Sequence, residues 1–390
     1  MAAYFRKRTR LWAAAGVTVG AILLTWDLIV VAPVYLPQYA IRNDFRLDFA
    51  AALLGLREGY GRLYDLQAQQ NAIHSLGSGF NAQPFISTPP LAWLVTPLTL
   101  LPFAAALAAW TVVLVAALLW TWRLVAPGGA WTKVAYLLLW LGLFPVAFGV
   151  LVGQPGALVA AAVATAWWLI RAERPVAAGV VLSLLVLKPQ LALLVPPCLL
   201  VAGHRRTFAA WLGASAVIGL VALALLGADG AGHYRAILAM TQGPAWDITR
   251  RYSISGPLGL GLLLYLVEAL VLVLALAAAW RHRAEGPEVP VAAGIAGSLL
   301  FSPYLGFQDL LMLILAAWLV IRAGASALQV VLFVAGYALL ELAIPILALP
   351  TMLAEACLLV SLVWSRRWDS NPRPATYEAA ALPAELRRQS

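Results

Sequence analysis

The sequence carries little charge. Asp, Glu, Lys and Arg make up 11% of its 390 residues, whereas an ordinary soluble domain contains about 25%. Apolar residues reach 63%. A soluble fold of this size cannot hide so much apolar surface, because its interior must be wrapped in a polar shell. The composition therefore excludes a soluble domain and predicts a protein that is solvated by lipid.

Cysteine and histidine are also scarce, with two and four residues respectively. The cysteines lie far apart in apolar runs, so no disulfide is expected. The histidines show no ligand spacing, so no metal site is predicted; no cofactor is assigned, and a need for a divalent metal stays open. The motifs G-x-x-x-x-G-K-[ST], H-E-x-x-H and G-x-S-x-G are absent, which removes the usual signatures of nucleotide, zinc and serine chemistry.

The charge that remains is mostly positive, with 26 Lys and Arg against 17 Asp and Glu. In a membrane protein such an excess collects in cytoplasmic loops, so nucleic acid is not an expected partner. A lipid-phosphate substrate would also favour basic residues in its binding site. The net charge alone therefore does not distinguish basic cytoplasmic loops from such a site.

Long apolar runs predict an all-α polytopic membrane protein, because a membrane-spanning helix needs about 20 apolar residues. The runs give 11 to 13 transmembrane helices, several of them short and bounded by proline. The candidate spans are 11–35, 90–102, 104–124, 132–151, 156–171, 175–187, 189–203, 207–227, 257–280, 289–302, 309–322, 327–346 and 350–365.

Basic residues at alternate loops predict the orientation. They place the N-terminus in the cytoplasm, and they place two long loops, 38–88 and 228–256, on the outer side. The first outer loop has helical stretches at 44–58 and 64–75. Residues 1–367 are expected to form one membrane domain, and 368–390 a disordered cytoplasmic tail. The charges require an even number of crossings before Arg171, whereas the apolar runs give five, so one segment within 90–151 is expected not to cross.

Two aspartates follow the first predicted helix. Asp44 and Asp48 are four residues apart and share one face of a helix. A carboxylate held at the membrane boundary can take a proton from an attacking hydroxyl group. The alternative is a solvated helix start, where aspartates favour the positive end of the helix dipole.

Lys188 stands between two apolar runs, where a charge is costly unless it is paired or reaches the interface. A lipid-linked phosphate would be a suitable partner, because lysine binds phosphate as a compact charge. The alternative is an interfacial anchor.

Two further outer segments carry polar side chains. Gln154 lies in a Gly-Gln-Pro-Gly break, and Tyr304, Gln308 and Asp309 lie in a short turn. Asp309 also suits a helix N-cap. Because the predicted topology places these groups on the same side as Asp44 and Lys188, they are expected to converge on one outer cavity.

The order of these motifs resembles the GT-C superfamily of membrane glycosyltransferases, and in detail glycosyltransferase family 87, the polyprenyl-phosphate-mannose-dependent mannosyltransferase-like proteins. The resemblance spans about 40–310. It is carried by Asp44-Phe45-Arg46, Glu58-Gly59, Leu63-Tyr64-Asp65, Thr88-Pro89-Pro90-Leu91, Leu101-Pro102, Gly153-Gln154, Leu187-Lys188-Pro189 and Ser302-Pro303-Tyr304.

The resemblance implies a GT-C-like bundle in the cell membrane, with its active site on the outer face. It implies inverting transfer of a sugar, mannose by the family's name, from a polyprenyl-phosphate donor to an envelope glycan or glycolipid acceptor. Asp44 matches the position of the family's catalytic acid, and Lys188 matches the family's lysine that would contact the donor phosphate. In the mechanism that we expect from this, the charge of Arg250 or Arg251 would help Lys188 to offset the charge that develops on the phosphate. Asp48 stands where relatives are expected to have an aromatic residue, so either carboxylate remains a candidate base.

A different class, a transporter or flippase of a lipid-linked sugar, is the main alternative. Few ionisable residues lie within the predicted spans, Glu268 and Glu341 being the main ones, whereas ion-coupled transporters usually carry such groups along the pathway. The long first outer loop also favours a site at one face. A catalytically silent assembly subunit is a third possibility.

Overall fold

A computed structural model describes residues 9–34, 36, 43–77, 83–243, 246, 250–342 and 348–365. These residues form helices joined by short turns. In chain order the α-helices are α1 Thr9–Trp26, α2 Phe45–Glu58, α3 Leu66–His74, α4 Pro89–Val95, α5 Phe103–Val125, α6 Ala130–Leu141, α7 Phe144–Leu151, α8 Gly156–Arg171, α9 Pro175–Leu182, α10 Val195–Val201, α11 Arg205–Met240, α12 Ser255–Leu258, α13 Leu262–Arg281, α14 Glu288–Phe301, α15 Leu311–Ala323, α16 Ala327–Leu342 and α17 Ala348–Trp364.

The chain is an all-α polytopic membrane protein, as the sequence predicts. Within the described residues, four helices are long and apolar enough to cross a membrane: Arg10–Val34, Phe103–Val125, Arg205–Met240 and Leu262–Arg281. The pair α6 and α7, bent by 59° at its break, would make a fifth. Shorter apolar helices account for most of the other predicted spans. The predicted tail, 368–390, lies outside the described residues.

The segment predicted as a span at 90–102 is too short to be one. Its helical part is α4 followed by a 3₁₀ turn at Thr96–Leu100. Together these elements rise about 20 Å, against a hydrocarbon thickness of about 30 Å. Proline at the start of each piece explains the break, because proline removes a backbone donor and is favoured at the first turn of a helix.

The first predicted outer loop contains the two expected helices, and this part of the prediction is confirmed. They are α2 and α3, separated by a 3₁₀ turn at Tyr60–Arg62. Asp65 begins α3 as an N-cap, because its carboxylate accepts a hydrogen bond from the Ala68 amide at 3.0 Å. Helix α2 packs against α3 and α4, so this loop is a packed part of the bundle.

Helix α11 is kinked at Gly227, which has φ 65° and ψ −173°. Residues 228–240, expected in a loop, are helical beyond this kink. The kink sets the part of α11 that follows Gly227 against the 60–62 turn: a Cβ on Gly230 would lie 2.7 Å from the Gly61 carbonyl oxygen. Glycine at both α11 positions therefore permits a bend and a close backbone contact.

The outward face of α11 illustrates why the chain needs lipid. Val217, Leu220 and Leu223 are each about 60% exposed, a continuous apolar stripe that water would not tolerate. By contrast, α14 is buried along most of its length. It lies at the centre, where α10, α13, α15 and α17 pack against it.

Helices α8 and α15 pack against each other and run in the same direction. Helix α8 begins two residues after Gln154 and ends at Arg171, and α15 begins two residues after Asp309 and ends beside Arg322. At 16 and 13 residues they are about 24 and 20 Å long. Arg171 pairs with Glu288 at the start of α14, so Arg171 and Arg322 mark the end opposite Gln154 and Asp309.

Candidate functional site

Asp44 is fixed by the backbone of the segment that follows α7. Its amide donates a hydrogen bond to the Val152 carbonyl oxygen at 2.8 Å. Asp44 holds the N-cap position of α2, yet its carboxylate makes no capping bond. The Asn43 side chain caps instead, because its Oδ1 accepts from the Arg46 amide at 2.9 Å. The Asp44 carboxylate is thus released for another partner, and it accepts a hydrogen bond from Gln154 Nε2.

Gly153 allows the segment that follows α7 to lie against the start of α2. Its φ is +76°, a left-handed conformation that side chains disfavour. A Cβ at this position would lie 2.7 Å from the Phe45 Cβ. The Gly153 carbonyl oxygen also accepts a hydrogen bond from Trp110 Nε1 at 2.8 Å, and Phe45 stacks on the Trp110 ring. Gly153 is therefore held from both sides.

A Gly153→Ala substitution is expected to destabilise the protein by about 1–3 kcal/mol, because it forces an L side chain into a left-handed conformation and against Phe45. Thermal unfolding in detergent measures the loss. Gly213→Ala is the matched control, since Gly213 lies on exposed helix surface with no atom within 4 Å of its added Cβ. Equal stability of the two variants would contradict the prediction.

Lys188 connects two polar groups from distant parts of the chain. Its Nζ donates to Gln154 Oε1 at 2.6 Å and to Asp309 Oδ1 at 2.5 Å. The side chains of Lys188 and Asp309 are 11% and 2% exposed, so this ion pair is largely removed from solvent. Thr88 steadies the backbone before the lysine, because its hydroxyl donates to the Val186 carbonyl oxygen at 2.5 Å.

These contacts join four of the predicted residues into one hydrogen-bonded network: Asp44, Gln154, Lys188 and Asp309. The Gln154 amide is the link, with its nitrogen donating to Asp44 and its oxygen accepting from Lys188. Two hydrogen bonds and the width of one amide group separate the Asp44 carboxylate from the Lys188 Nζ. These two groups are therefore about 7 Å apart or less. A carboxylate and a cation of this spacing can act on opposite ends of one reacting group.

Asp44 and Asp48 differ in how readily they ionise. Burial raises the pKa of Asp44, while the hydrogen bond from Gln154 and the charge of Lys188 work against this shift. Burial raises the pKa of Asp48 well above its usual range, and the nearby charge of Asp44 raises it further. The charge of Lys188 works against this shift, but among the described residues no hydrogen-bond partner offsets the burial of Asp48. Asp44 therefore ionises before Asp48.

Asp309 and its neighbours form a compact turn beside Lys188. Asp309 Oδ2 accepts from the Gly306 amide at 3.3 Å, leaving its Oδ1 for the lysine. Gln308 is half-buried and folds back over Gly306, against α7. Burial raises the pKa of the Tyr304 phenol, so its hydroxyl stays protonated. The turn brings Asp309 directly to the lysine and Tyr304 close to Asp309.

The two arginines predicted to assist Lys188 are placed differently. Arg250 donates from Nη1 to the Gln242 carbonyl oxygen at 2.8 Å, close to the end of α11. Arg251 is exposed beside Tyr252. Within the described part of the chain, neither contacts Lys188, Gln154 or Asp309.

Helix α7 is held at both ends. At its start, the Phe144 amide donates to Glu341 Oε2 at 3.0 Å, which places a carboxylate at the positive end of the helix. At its end, Val152, Gly153 and Gln154 make the contacts with Asp44 described above. Glu341, noted in the sequence only as an ionisable residue within a span, therefore anchors the helix that positions the site.

Gln190 is a buried polar residue close to Lys188 that was not singled out from the sequence. It is 8% exposed and lies two residues after Lys188 in a 3₁₀ turn, Pro189–Leu191. A polar amide at the start of an apolar run was the available signal, but Pro-Gln also suits an ordinary turn. No group of three or more His, Cys, Asp or Glu side chains in the described regions is arranged to hold a metal ion.

Comparison with protein families gives a match over residues 85–303 to the model described as Glycosyltransferase family 87. The matched region includes Gln154 and Lys188. Asp44 precedes it, and Tyr304 and Asp309 follow directly after it. Comparison with curated proteins and with solved structures gives no match.

Proposed function

The chain belongs to glycosyltransferase family 87, and from this membership we propose that it transfers a sugar from a polyprenyl-phosphate donor to an envelope glycan or glycolipid. Family membership makes the chain a membrane glycosyltransferase, with a sugar donor and a glycan acceptor. The finer proposal names mannose as the sugar, the outer face of the cell membrane as the location, and inversion at the anomeric carbon.

The bridge from Lys188 through Gln154 to Asp44 is the observation that carries this proposal. A transfer from a lipid phosphate needs a cation for the leaving phosphate and a base for the attacking hydroxyl group. The cluster supplies both within one buried hydrogen-bonded chain. It also keeps the cation in place, because the Asp309 carboxylate forms an ion pair with the Lys188 ammonium group.

In the proposed step, the acceptor oxygen forms a bond to the anomeric carbon while the bond from that carbon to the phosphate oxygen breaks. The phosphate leaves with the electron pair and is stabilised by Lys188. The hydroxyl proton passes to Asp44. A single displacement inverts the anomeric configuration, in contrast to the two-step retaining route. Asp48, which ionises after Asp44, is not assigned as the base.

The orientation proposal draws support from α8 and α15. The site lies at one end of α8 and α15, and Arg171 and Arg322 lie at the other. Basic residues favour the cytoplasmic side, so the site would face outward. Removing the short 89–100 segment from the count of crossings also leaves four segments before Arg171, the even number that the charge distribution requires.

Purified protein in detergent, without a vesicle or ion gradient, tests the function. We expect it to release polyprenyl phosphate from polyprenyl-phosphate mannose when an envelope glycolipid fraction is supplied. A nucleotide sugar should give no product. Polyprenyl-phosphate glucose, tested in parallel, separates the choice of sugar from the choice of carrier. Absence of conversion from any lipid donor, together with movement of lipid-linked sugar across reconstituted vesicles, would favour a flippase and contradict the proposal.

A further inference from the structure

The Gln154 amide group can take only one orientation between its two partners. A lysine ammonium group has donors and no acceptor, so Lys188 Nζ, 2.6 Å away, must face the amide oxygen. The amide nitrogen then faces the Asp44 carboxylate, to which it donates a hydrogen bond. The backbone is fixed as well, because the Gln154 N–H donates to the carbonyl oxygen of Gly149, in the last turn of α7, at 2.9 Å. Lys188 therefore determines which end of the Gln154 side chain meets the aspartate.

The two carboxylate oxygens of Asp44 are consequently not equivalent. Oδ2 accepts the hydrogen bond from Gln154 Nε2. Within the described part of the chain Oδ1 accepts none, and Asp44 is only half-buried. Both oxygens of an ionised carboxylate can accept hydrogen bonds. Oδ1 is therefore the atom that remains available to an incoming hydroxyl group.

The hydrogen bond from Gln154 also acts on the ionisation of Asp44. Burial raises the pKa of this carboxyl group; the hydrogen bond from Gln154, and after it the charge of Lys188, lower the pKa again. Among the described residues, the charge of Asp309 raises it, and Asp48 lies nearby on the same helix. A donor to the ionised form of a carboxyl group favours that form. Gln154 thus lets Asp44 serve as a base at a lower pH than burial alone would allow.

We propose that Gln154 is a positioning residue for sugar transfer, which holds Oδ2 of Asp44 and thereby directs Oδ1 to the acceptor hydroxyl group. This assignment rests on the proposed function and adds to it the atom that takes the proton. The acceptor oxygen bonds to the anomeric carbon, the bond from that carbon to the phosphate oxygen breaks, and the hydroxyl proton passes to Asp44 Oδ1. Gln154 neither gains nor loses a proton. It connects the base to Lys188, the cation that serves the leaving phosphate.

Gln154→Met tests the assignment, because methionine keeps the length of the side chain but cannot donate to Asp44. With polyprenyl-phosphate mannose at saturation, we expect the plateau rate of polyprenyl phosphate release to fall about tenfold or more, since the base loses its orientation. The acidic limb of the pH–rate profile should move to higher pH by about one unit, the effect of one lost hydrogen bond to a charged group. The donor Kd should stay nearly unchanged, because Lys188 keeps its ammonium group and its ion pair with Asp309.

Gln154→Glu separates a positioning role from a structural one. Glutamate keeps an acceptor for Lys188 but places a second carboxyl group against Asp44, and two such groups do not ionise independently. The acidic limb should therefore lie at higher pH than in Gln154→Met. Gln67→Met is the control, because Gln67 is exposed on α3, and it should change neither the limb nor the rate.

An acidic limb that stays in place in both Gln154 variants would overturn the assignment, whatever the loss of rate or of thermal stability. A weakened donor Kd with an unchanged plateau rate would overturn it by assigning Gln154 to Lys188 alone. Both of these outcomes would leave the proposed function standing. Absence of transfer by the unaltered protein from any lipid-linked sugar would instead contradict the proposed function itself.

Discussion

Asp44→Asn is expected to reduce sugar transfer by about 10²- to 10⁴-fold, the usual contribution of a general base. The amide keeps the size and shape of the carboxylate but cannot take a proton from the acceptor hydroxyl group. Binding of the lipid donor should persist, because Lys188 and its partners are unchanged. The measurement is the initial rate of polyprenyl phosphate release, together with the donor Kd.

Asp48→Asn is the matched control for this experiment. Asparagine resembles a protonated aspartate, and burial favours the protonated form of Asp48 by raising its pKa. This variant should therefore retain most of the activity. The opposite result, with Asp48→Asn inactive and Asp44→Asn active, would show that Asp48 is the base and that the order of ionisation inferred from burial is wrong.

The pH dependence of transfer follows from the same difference. Asp44 acts as a base only when ionised, and burial raises its pKa above that of an ordinary aspartate. The rate should therefore fall as the pH decreases through this raised pKa, at a higher pH than an exposed aspartate would give, and level off above it. Asp48→Asn should leave the position of this acidic limb unchanged, because Asp44 ionises before Asp48.

Lys188→Met is expected to weaken donor binding by about 10- to 100-fold, since a hydrogen bond to a charged group is lost. The same change should also destabilise the protein by about 3–5 kcal/mol, because it leaves the buried Asp309 carboxylate without its cation. Donor affinity and thermal unfolding, measured on the same preparation, report these two effects separately.

A double variant separates the two roles of Lys188. Adding Asp309→Asn to Lys188→Met removes the unpaired charge, so it should restore much of the stability without restoring donor affinity. Lys133→Met is the control, because Lys133 lies near Arg123, away from the site, and it should change neither quantity. Recovery of donor binding in the double variant would contradict a phosphate-binding role for Lys188 and favour an interfacial anchor.

Much of the fold and part of the site could be predicted from the sequence. Apolar runs and the spacing of charges indicate a helical membrane protein with a helical first loop, because both signals are local. The meeting of Asp44, Gln154, Lys188 and Asp309 could be expected only as a shared side of the membrane. Their direct hydrogen bonds depend on the left-handed Gly153 and the path of α7, which arise from packing between distant segments.

The structure differs from the predictions at three places, and each difference has a physical cause that is not visible in the sequence. Residues 228–240 carry polar side chains and suggest a loop, but polarity alone does not end a helix, and the kink at Gly227 lets α11 continue. Arg250 was predicted from its charge to assist with the phosphate, yet its guanidinium bonds to a nearby carbonyl oxygen. Gln190 was missed because its contact with the Tyr304 side chain becomes visible only in the folded structure.

The ion pair between Lys188 and Asp309 has a consequence for the end of the catalytic cycle. The proposed donor is a phosphodiester with one negative charge, whereas its spent carrier would be a monoester with a charge of about −1.5 to −2 at neutral pH. Lys188 alone would therefore hold the spent carrier more tightly than the fresh donor and slow turnover. Asp309, which lies 2.5 Å from the ammonium group, competes for the same cation. The Asp309 carboxylate would therefore pair with Lys188 again as each spent carrier leaves.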